Sequence, residues 1–305
     1  MVRRLALLVL LSGLLAACGG GTASETAGPT ETTAPGGTSG PATGATETAA
    51  TTETDAETQP PAETTTLAVY FLRGEKIGVA HRYVPKTEAV GRAALEELLG
   101  GPTAAEAEAG LGSGIPPGTE LLGLAIADGV ATVDLSGEYA SGGGSLAMFT
   151  RLAQVVYTLT QFPTVEGVVF RLDGEPVETF SSEGIVLDHP QTRADYEDQT
   201  PPTLVESPAV GDTVASPLRL AGTSNVFEAT SNYELLDAGG QVIAEGFVTA
   251  TCGTGCRGTF ETTISFEWSG DPRGSLVVFE TSAADGSRIN AVEIPLGLVP
   301  TPCCA

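Results

Sequence analysis

From residue 19 to residue 66 the chain runs for 48 residues without a Val, Ile, Leu, Met, Phe, Tyr or Trp, and 16 of those 48 are Thr. Such a stretch cannot bury enough apolar surface to offset the entropy of ordering its backbone, so it is expected to stay disordered. Whatever folds must lie before it or after it. As a flexible coil the stretch spans about 40 Å, and fully extended at most ~160 Å. Acid repulsion and proline favour the longer end. Its Thr-Pro richness also permits O-glycosylation.

Upstream, Arg3 and Arg4 precede an apolar run from Leu5 to Leu15, interrupted by Ser12 and Gly13. That run has the length of a signal-peptide core and falls short of the roughly 18 to 20 apolar residues that span a bilayer. It ends in Leu15-Ala16-Ala17-Cys18, which resembles the bacterial lipobox. The resemblance implies a lipoprotein signal peptide with its lipobox over residues 1–18, a diacylglycerol on Cys18, cleavage that leaves Cys18 as the new N-terminus, and an extracytoplasmic protein anchored by lipid to the cell membrane. An ordinary secretory signal cut at the Ala-rich site is the alternative. Two or more acyl chains give stable anchoring where one gives only marginal binding.

The formal net charge is −24, distributed as +2 over residues 1–18, −7 over 19–66, −11 over 67–200 and −8 over 203–298. No segment after residue 18 is basic, so nothing is there to neutralise phosphates and nucleic acid is not expected as a partner. Attraction to anionic lipid surfaces is not expected on the same ground, so membrane contact is expected from the acyl chains alone.

Five cysteines require an account. Beyond Cys18, Cys252 and Cys256 sit in Cys-Gly-Thr-Gly-Cys between two strand-like runs, and an exported compartment permits their oxidation. Closing so small a loop contributes about 2 kcal/mol on the entropic view. A metal site is disfavoured because the spacing lacks a second Cys or His pair. Cys303 and Cys304 are adjacent in a short tail, residues 299–305. Free thiols, a strained ring and pairing with another chain all stay open for them.

Order is expected from Leu67. Leu67 to Leu72 reads as a buried strand, and Ile77 to Val84 as its hairpin partner through Arg73-Gly74-Glu75-Lys76. Thr87 is placed to cap a helix with Val90, Ala94, Leu95, Leu98 and Leu99 on one face, Gly100 is suited to the position after it, and Pro102 stops it. Strands at Glu120–Ala127 and Val130–Leu135 are joined by Asp128-Gly129, a strong hairpin signal. A second helix runs from Ser145 to Gln161, with Phe149, Leu152, Val156 and Leu159 at helical spacing. Val165–Leu172 and Pro176–Phe180 form a last hairpin around Asp173-Gly174. Residues 67–200 therefore read as a compact αβ domain.

Four blocks in this region carry a resemblance: Leu98-Leu99-Gly100-Gly101-Pro102-Thr103, Ile115-Pro116-Pro117-Gly118-Thr119, Gly129 to Ser136, and Ala153 to Pro163 followed by Asp173-Gly174-Glu175-Pro176. Together they resemble the GerMN domain of sporulation and spore-germination lipoproteins. The resemblance implies a compact αβ fold akin to the ring-building modules of envelope secretion machines, and no known catalytic site.

After Thr200-Pro201-Pro202 the pattern changes to seven short strand runs within residues 203–298, with turns at Asp237-Ala238-Gly239-Gly240 and Asp285-Gly286. That spacing reads as an antiparallel immunoglobulin-like sandwich, giving an α+β chain overall. Ser207 to Val214, Gly222 to Ala229 and Ala244 to Phe247 resemble the Gmad2 domain, an immunoglobulin-like module associated with spore germination. The junction between the two domains is expected to be modest and polar.

Candidate chemistry is sparse. Asp128, Asp134 and Glu138 lie close in sequence, but Asp128 is explained as a turn residue and nothing shows a cleft with two carboxylates at a fixed separation. His81 and His189 are isolated, and no Gly-x-Ser-x-Gly elbow occurs. His189 with Asp188 and Asp195 matches no metal-ligand spacing. Tyr196, Phe227 and Trp268 are candidates for a glycan groove, though packing explains Trp268 better. The expected protein has no catalytic site, cofactor or metal. It is expected to associate with an unidentified envelope protein or cell-wall polymer. A carbohydrate-binding module is the alternative, distinguished by an exposed aromatic row on one sheet.

Overall fold

The computed structural model describes residues 63–301. Cys18, residues 1–18, residues 19–62 and the pair Cys303 and Cys304 lie outside the described residues. No helix among the described residues is long and apolar enough to cross a membrane.

The chain opens with β1 (Thr64–Arg73) and β2 (Lys76–Pro85), an antiparallel hairpin in register from Thr64↔Pro85 to Arg73↔Lys76. The strand begins at Thr64, three residues before Leu67. β-Branched threonines suit a pleated strand, and here they pair with Val84 and Tyr83. Next come α1 (Val90–Gly100), α2 (Ala104–Glu108) and β3 (Leu111–Gly112). Thr87 does not cap α1: its Oγ1 accepts from Ala89 N at 3.1 Å, and Ala89 is the residue at the cap. The left-handed residue is Gly101 (φ 78°), while Gly100 closes the helix. α2 starts with a capping box in which Thr103 and Glu106 bond each other's backbone N–H.

β4 (Leu121–Ala127) and β5 (Val130–Leu135) form the expected hairpin, with Asp128 (φ 51°) and Gly129 (φ 79°) both left-handed at its tip. α3 (Ser145–Leu159) leads to β6 (Gly167–Leu172), which runs parallel to β5. The expected strand Pro176–Phe180 divides into β7 (Glu175–Pro176), paired with β6, and β8 (Thr179–Phe180), paired with β9 (Ile185–Val186). A 3₁₀ segment, Arg193–Gln199, closes this half.

α3 is the centre of the N-terminal half. Every residue from Thr150 to Leu159 is buried, polar ones included. The polar ones have a task. β3 pairs with β1 only at Leu72 and Arg73, so the rest of that edge of β1 would lack partners. Gln161 bonds both the N–H and the C=O of Ala68, while Thr158 Oγ1 accepts from Tyr70 N and Gln154 Nε2 donates to Tyr70 O at 3.2 Å. Arg151 is also buried. It donates to the carbonyls of Gly114 (2.9 Å), Ser141 (3.0 Å), Gly142 (3.3 Å) and Tyr139, its guanidinium carbon lying 5.9 Å from the Tyr139 ring centroid. Burial lowers its pKa, opposed by Tyr139.

The C-terminal half holds β10 (Thr203–Ser207), β11 (Thr213–Val214), β12 (Leu218–Ser224), β13 (Thr230–Asp237), β14 (Val242–Thr249), β15 (Gly258–Ile264), β16 (Arg273–Thr281) and β17 (Arg288–Leu298). They form two sheets, ordered β10-β12-β15 and β11-β17-β16-β13-β14. Leu220, Phe260 and Ile264 from one sheet and Leu235, Leu276, Val278 and Ile294 from the other are buried in the core. Cys252 and Cys256 are joined by a disulfide, with Cα atoms 5.7 Å apart. The buried apolar cluster is continuous through both halves, so the junction is not merely polar.

Candidate interaction site

The junction is built around the 3₁₀ segment before the Thr200-Pro201-Pro202 connection. Arg193 extends from it against Tyr70 and Tyr157, its guanidinium carbon 5.1 Å and 4.6 Å from their ring centroids. It donates to Thr160 Oγ1 (2.9 Å), Tyr70 Oη (3.0 Å), Tyr157 O (3.3 Å) and, across the junction, Glu206 Oε1 (2.8 Å). The Tyr70 hydroxyl donates to the same carboxylate oxygen. Burial pulls the guanidinium pKa down, but Tyr70 and Glu206 outweigh it and the net shift is upward. Burial, then the Glu206 charge, pushes the Tyr70 hydroxyl far above its ordinary value.

A second ion pair crosses in the opposite sense. Arg257, next to Cys256, donates to Glu197 through Nε (2.8 Å) and Nη2 (3.0 Å), and to Pro201 O at 2.8 Å. Asn225 Nδ2 adds a bond to Glu197 at 3.1 Å, and Gly255 N in the disulfide loop holds Asn225 Oδ1 at 2.9 Å. The Arg257 hydrogen bond is the main cause of the lowered Glu197 pKa. His81, in β2, completes the seam: Nδ1 lies 2.8 Å from Asp212 Oδ2 and Nε2 lies 3.0 Å from Glu206 O.

Beside this seam, between β2 and β17, lies a crevice of about 400 Å³. Ile77, Val79, Val205, Val292 and Ile294 give it apolar walls, with Arg73 and Lys76 among its lining residues. The volume falls within the range of small-molecule sites. On the other side of residues 210–212, His81, Tyr83, Glu106 and Asp212 line a second hollow of about 490 Å³.

The candidates named from sequence do not meet in either hollow. Asp128 serves its turn, and Asp134 Oδ1 accepts from Gly174 N at 3.0 Å. Glu138 is fully exposed, its pKa lowered by the Ser136 hydroxyl. His189 does meet Asp188 (2.7 Å) and Asp195 (3.2 Å), but both ring nitrogens are taken by carboxylates. Among the described residues no group of three His, Cys, Asp or Glu is arranged to hold a metal ion. Tyr196 is buried and donates to Gln191 Oε1, whereas Trp268 bonds Asp271 O and packs on the core. On the outer face of the larger sheet, exposed Phe247 is followed across the strands by Asn232 and then by Phe279, which Arg288 covers at 4.4 Å. That row presents one open aromatic rather than a series.

The junction residues Tyr70, Arg193, Glu197, Glu206 and Arg257 escape sequence reading. Their only signal is that arginines and glutamates flank the Thr-Pro-Pro connection in a chain where Lys and Arg number 14 against 38 Asp and Glu.

Residues 68–178 match the Germane family, described as sporulation and spore germination. Residues 204–287 match Gmad2, described as the immunoglobulin-like domain of bacterial spore germination. Among solved structures, the chain is similar to the first GerMN domain of the sporulation protein GerM from Bacillus subtilis, at 25% identity over 43% of this chain and 100% of that one, with a TM-score of 0.38. It is also similar to the tandem GerMN domains of the same protein, at 20% identity over 67% of this chain and 62% of that one, with a TM-score of 0.39. No curated protein matches the chain.

Proposed function

We propose that this chain, a Germane domain followed by a Gmad2 domain, is a lipid-anchored envelope protein of sporulation or germination that works by binding another envelope component. The two family matches support a germination-related role, and neither family is described as an enzyme. The observation that carries the binding role is the junction. Two opposed ion pairs, Arg193 with Glu206 and Arg257 with Glu197, hold the halves together beside a crevice with apolar walls and a cationic rim. Rigid surfaces bind at lower entropic cost than surfaces that must first be ordered. In this reading Cys18 carries the acyl chains and residues 19–62 set the folded part away from the bilayer.

Membrane fractionation of the native host tests the anchor. The wild-type chain is expected in the membrane fraction, and the Cys18→Ala chain in the soluble fraction or unprocessed. A processed Cys18→Ala chain that stays membrane-bound through detergent-free washing rejects lipid anchoring. Cross-linking followed by pull-down of the acylated chain tests association: recovery of the chain alone, under conditions that capture a known envelope complex, rejects it.

A further inference from the structure

The crevice between β2 and β17 is bounded by two strand edges. Val79 stands opposite Tyr70, and the Tyr70 N–H and C=O are bonded to Thr158 and Gln154 of the helix side. The pair therefore exchanges no backbone hydrogen bonds, and the Val79 N–H and C=O face away from β1. By the alternation of an antiparallel ladder, Ile77 faces the same way. β2 is the outer strand of its sheet, and Val79 O accepts from Val210 N at 3.5 Å. On the far wall, Glu293 O accepts from Arg73 and Pro295 O accepts from Gly211 N at 2.9 Å. These carbonyls turn away from β16, and the Glu293 N–H turns with them. β11, the neighbour of β17 on that side, pairs only with Gly297 and Leu298.

The protein's own chain bridges the crevice at one end. Val210 N reaches β2 while the next amide, Gly211 N, reaches β17. They do so within a turn, with Gly211 at φ 83° and Asp212 N bonded to Ala209 O at 3.1 Å, so at this end one segment hydrogen-bonds to both walls. Beyond Val210 the slot continues between Ile77, Val79 and Glu293 toward Arg73 and Lys76. Those two cations donate to main-chain carbonyls of Glu293 and Asp198. Neither takes part in an ion pair among the described residues. Among the described residues, Glu293 is the one acidic residue lining the crevice. In a chain of net charge −24, an apolar slot flanked by two outward-facing strand edges and closed by a cationic end is complementary to an extended acidic segment.

We infer that this slot binds an extended peptide segment of a partner protein, paired through its main chain to β2 and β17, with a carboxylate directed at Arg73 and Lys76. The inference rests on the binding role proposed above and names its ligand. The peptide supplies acceptors for the Val79 and Glu293 N–H groups, and its small or β-branched side chains meet Val205, Val292 and Ile294.

The test uses the purified chain, residues 19–305, and a library of labelled pentapeptides with four random positions and a C-terminal Glu. Selected peptides are expected to slow amide exchange of Val79 and Glu293 by at least tenfold. Replacing their Glu by Gln is expected to weaken binding about tenfold, the worth of a charge-assisted hydrogen bond. N-Methylation of alternate peptide amides is expected to abolish binding. Ala291→Trp, at an exposed position on the rim, and Lys76→Gln are expected to weaken it with the circular dichroism unchanged. Capture of no library member overturns the inference, as does binding insensitive to N-methylation or complete competition by acetate. A rise in Val79 and Glu293 exchange on deleting residues 19–62 makes the occupant this chain's own segment and overturns the partner assignment. Cross-linking and pull-down of the acylated chain do not depend on the slot, so loss of the slot leaves the binding role standing, whereas recovery of the chain alone removes both.

Discussion

Arg193 and Glu206 stand on opposite sides of the Thr200-Pro201-Pro202 connection, and the Arg193 guanidinium donates to the Glu206 carboxylate at 2.8 Å while stacked on Tyr70 and Tyr157. One side chain thus joins the first strand, the central helix, the 3₁₀ segment and the first strand of the second half.

Arg193→Ala should lower global stability by roughly 2–3 kcal/mol, because it leaves Glu206 without its cation and opens space against two aromatic rings. Arg193→Lys should recover only part of this, since one ammonium cannot reproduce the planar fork that reaches Thr160, Tyr70 and Glu206 together. Urea unfolding measures both. An unchanged midpoint for Arg193→Ala would remove this pair from the account of the junction.

Glu197 has a pKa lowered from 4.5, first by the Arg257 hydrogen bond. A depressed carboxylate stabilises the fold above its unfolded pKa and loses that contribution as pH falls through its folded value. Stability should therefore decline below about pH 4.5, and Glu197→Gln should make the decline shallower. Equal slopes for the two proteins over that window would contradict the assignment.

His189 is raised above 6.5, first by the Asp188 hydrogen bond and then by Asp195. Both ring nitrogens face carboxylates, so the doubly protonated ring satisfies both. Its contribution is complete below pH 6.5 and fades as pH rises through the higher folded value. In an NMR titration the His189 midpoint should exceed 6.5, and Asp188→Asn should bring it down. A midpoint that ignores Asp188 would refute the pairing.

A Cβ at Gly222 would lie 2.1 Å from Leu204 O and 3.0 Å from the Phe260 ring. Gly222→Ala must therefore push β10 off β12, and overpacking of this kind costs about 1–3 kcal/mol. Because β10 carries Glu206 and one wall of the crevice, the damage should extend to the junction. Faster amide exchange in residues 203–207 than in the wild type is the expected reading. Wild-type exchange there would show that the sheet yields without consequence.

Local signals were legible where a single short stretch determines its own shape. Asp128-Gly129 marks the β4–β5 turn because its residues readily adopt positive φ, and both do so. Cys252 and Cys256 flank a Gly-rich loop, and their disulfide follows from proximity in the chain. The cap of α1 misled, because Thr87 lies two residues upstream of the cap and bonds the Ala89 amide instead. α3 is legible as a helix but not as one buried on every side from Thr150 to Leu159. Its Gln154 and Thr158 look like a solvent face until β1 supplies the backbone groups they satisfy. The junction was illegible for the same reason: Tyr70 and Glu206 are 136 residues apart, and no periodicity connects them.

Arg151 bears differently on how such a chain can change over time. The loop from Tyr139 to Gly142 is held through its carbonyls, and every peptide unit offers a carbonyl whatever its side chain. Exposed Ser141 is thus free to drift while the loop keeps its course, whereas Tyr139 is buried in the core and Gly142 sits at φ 61°.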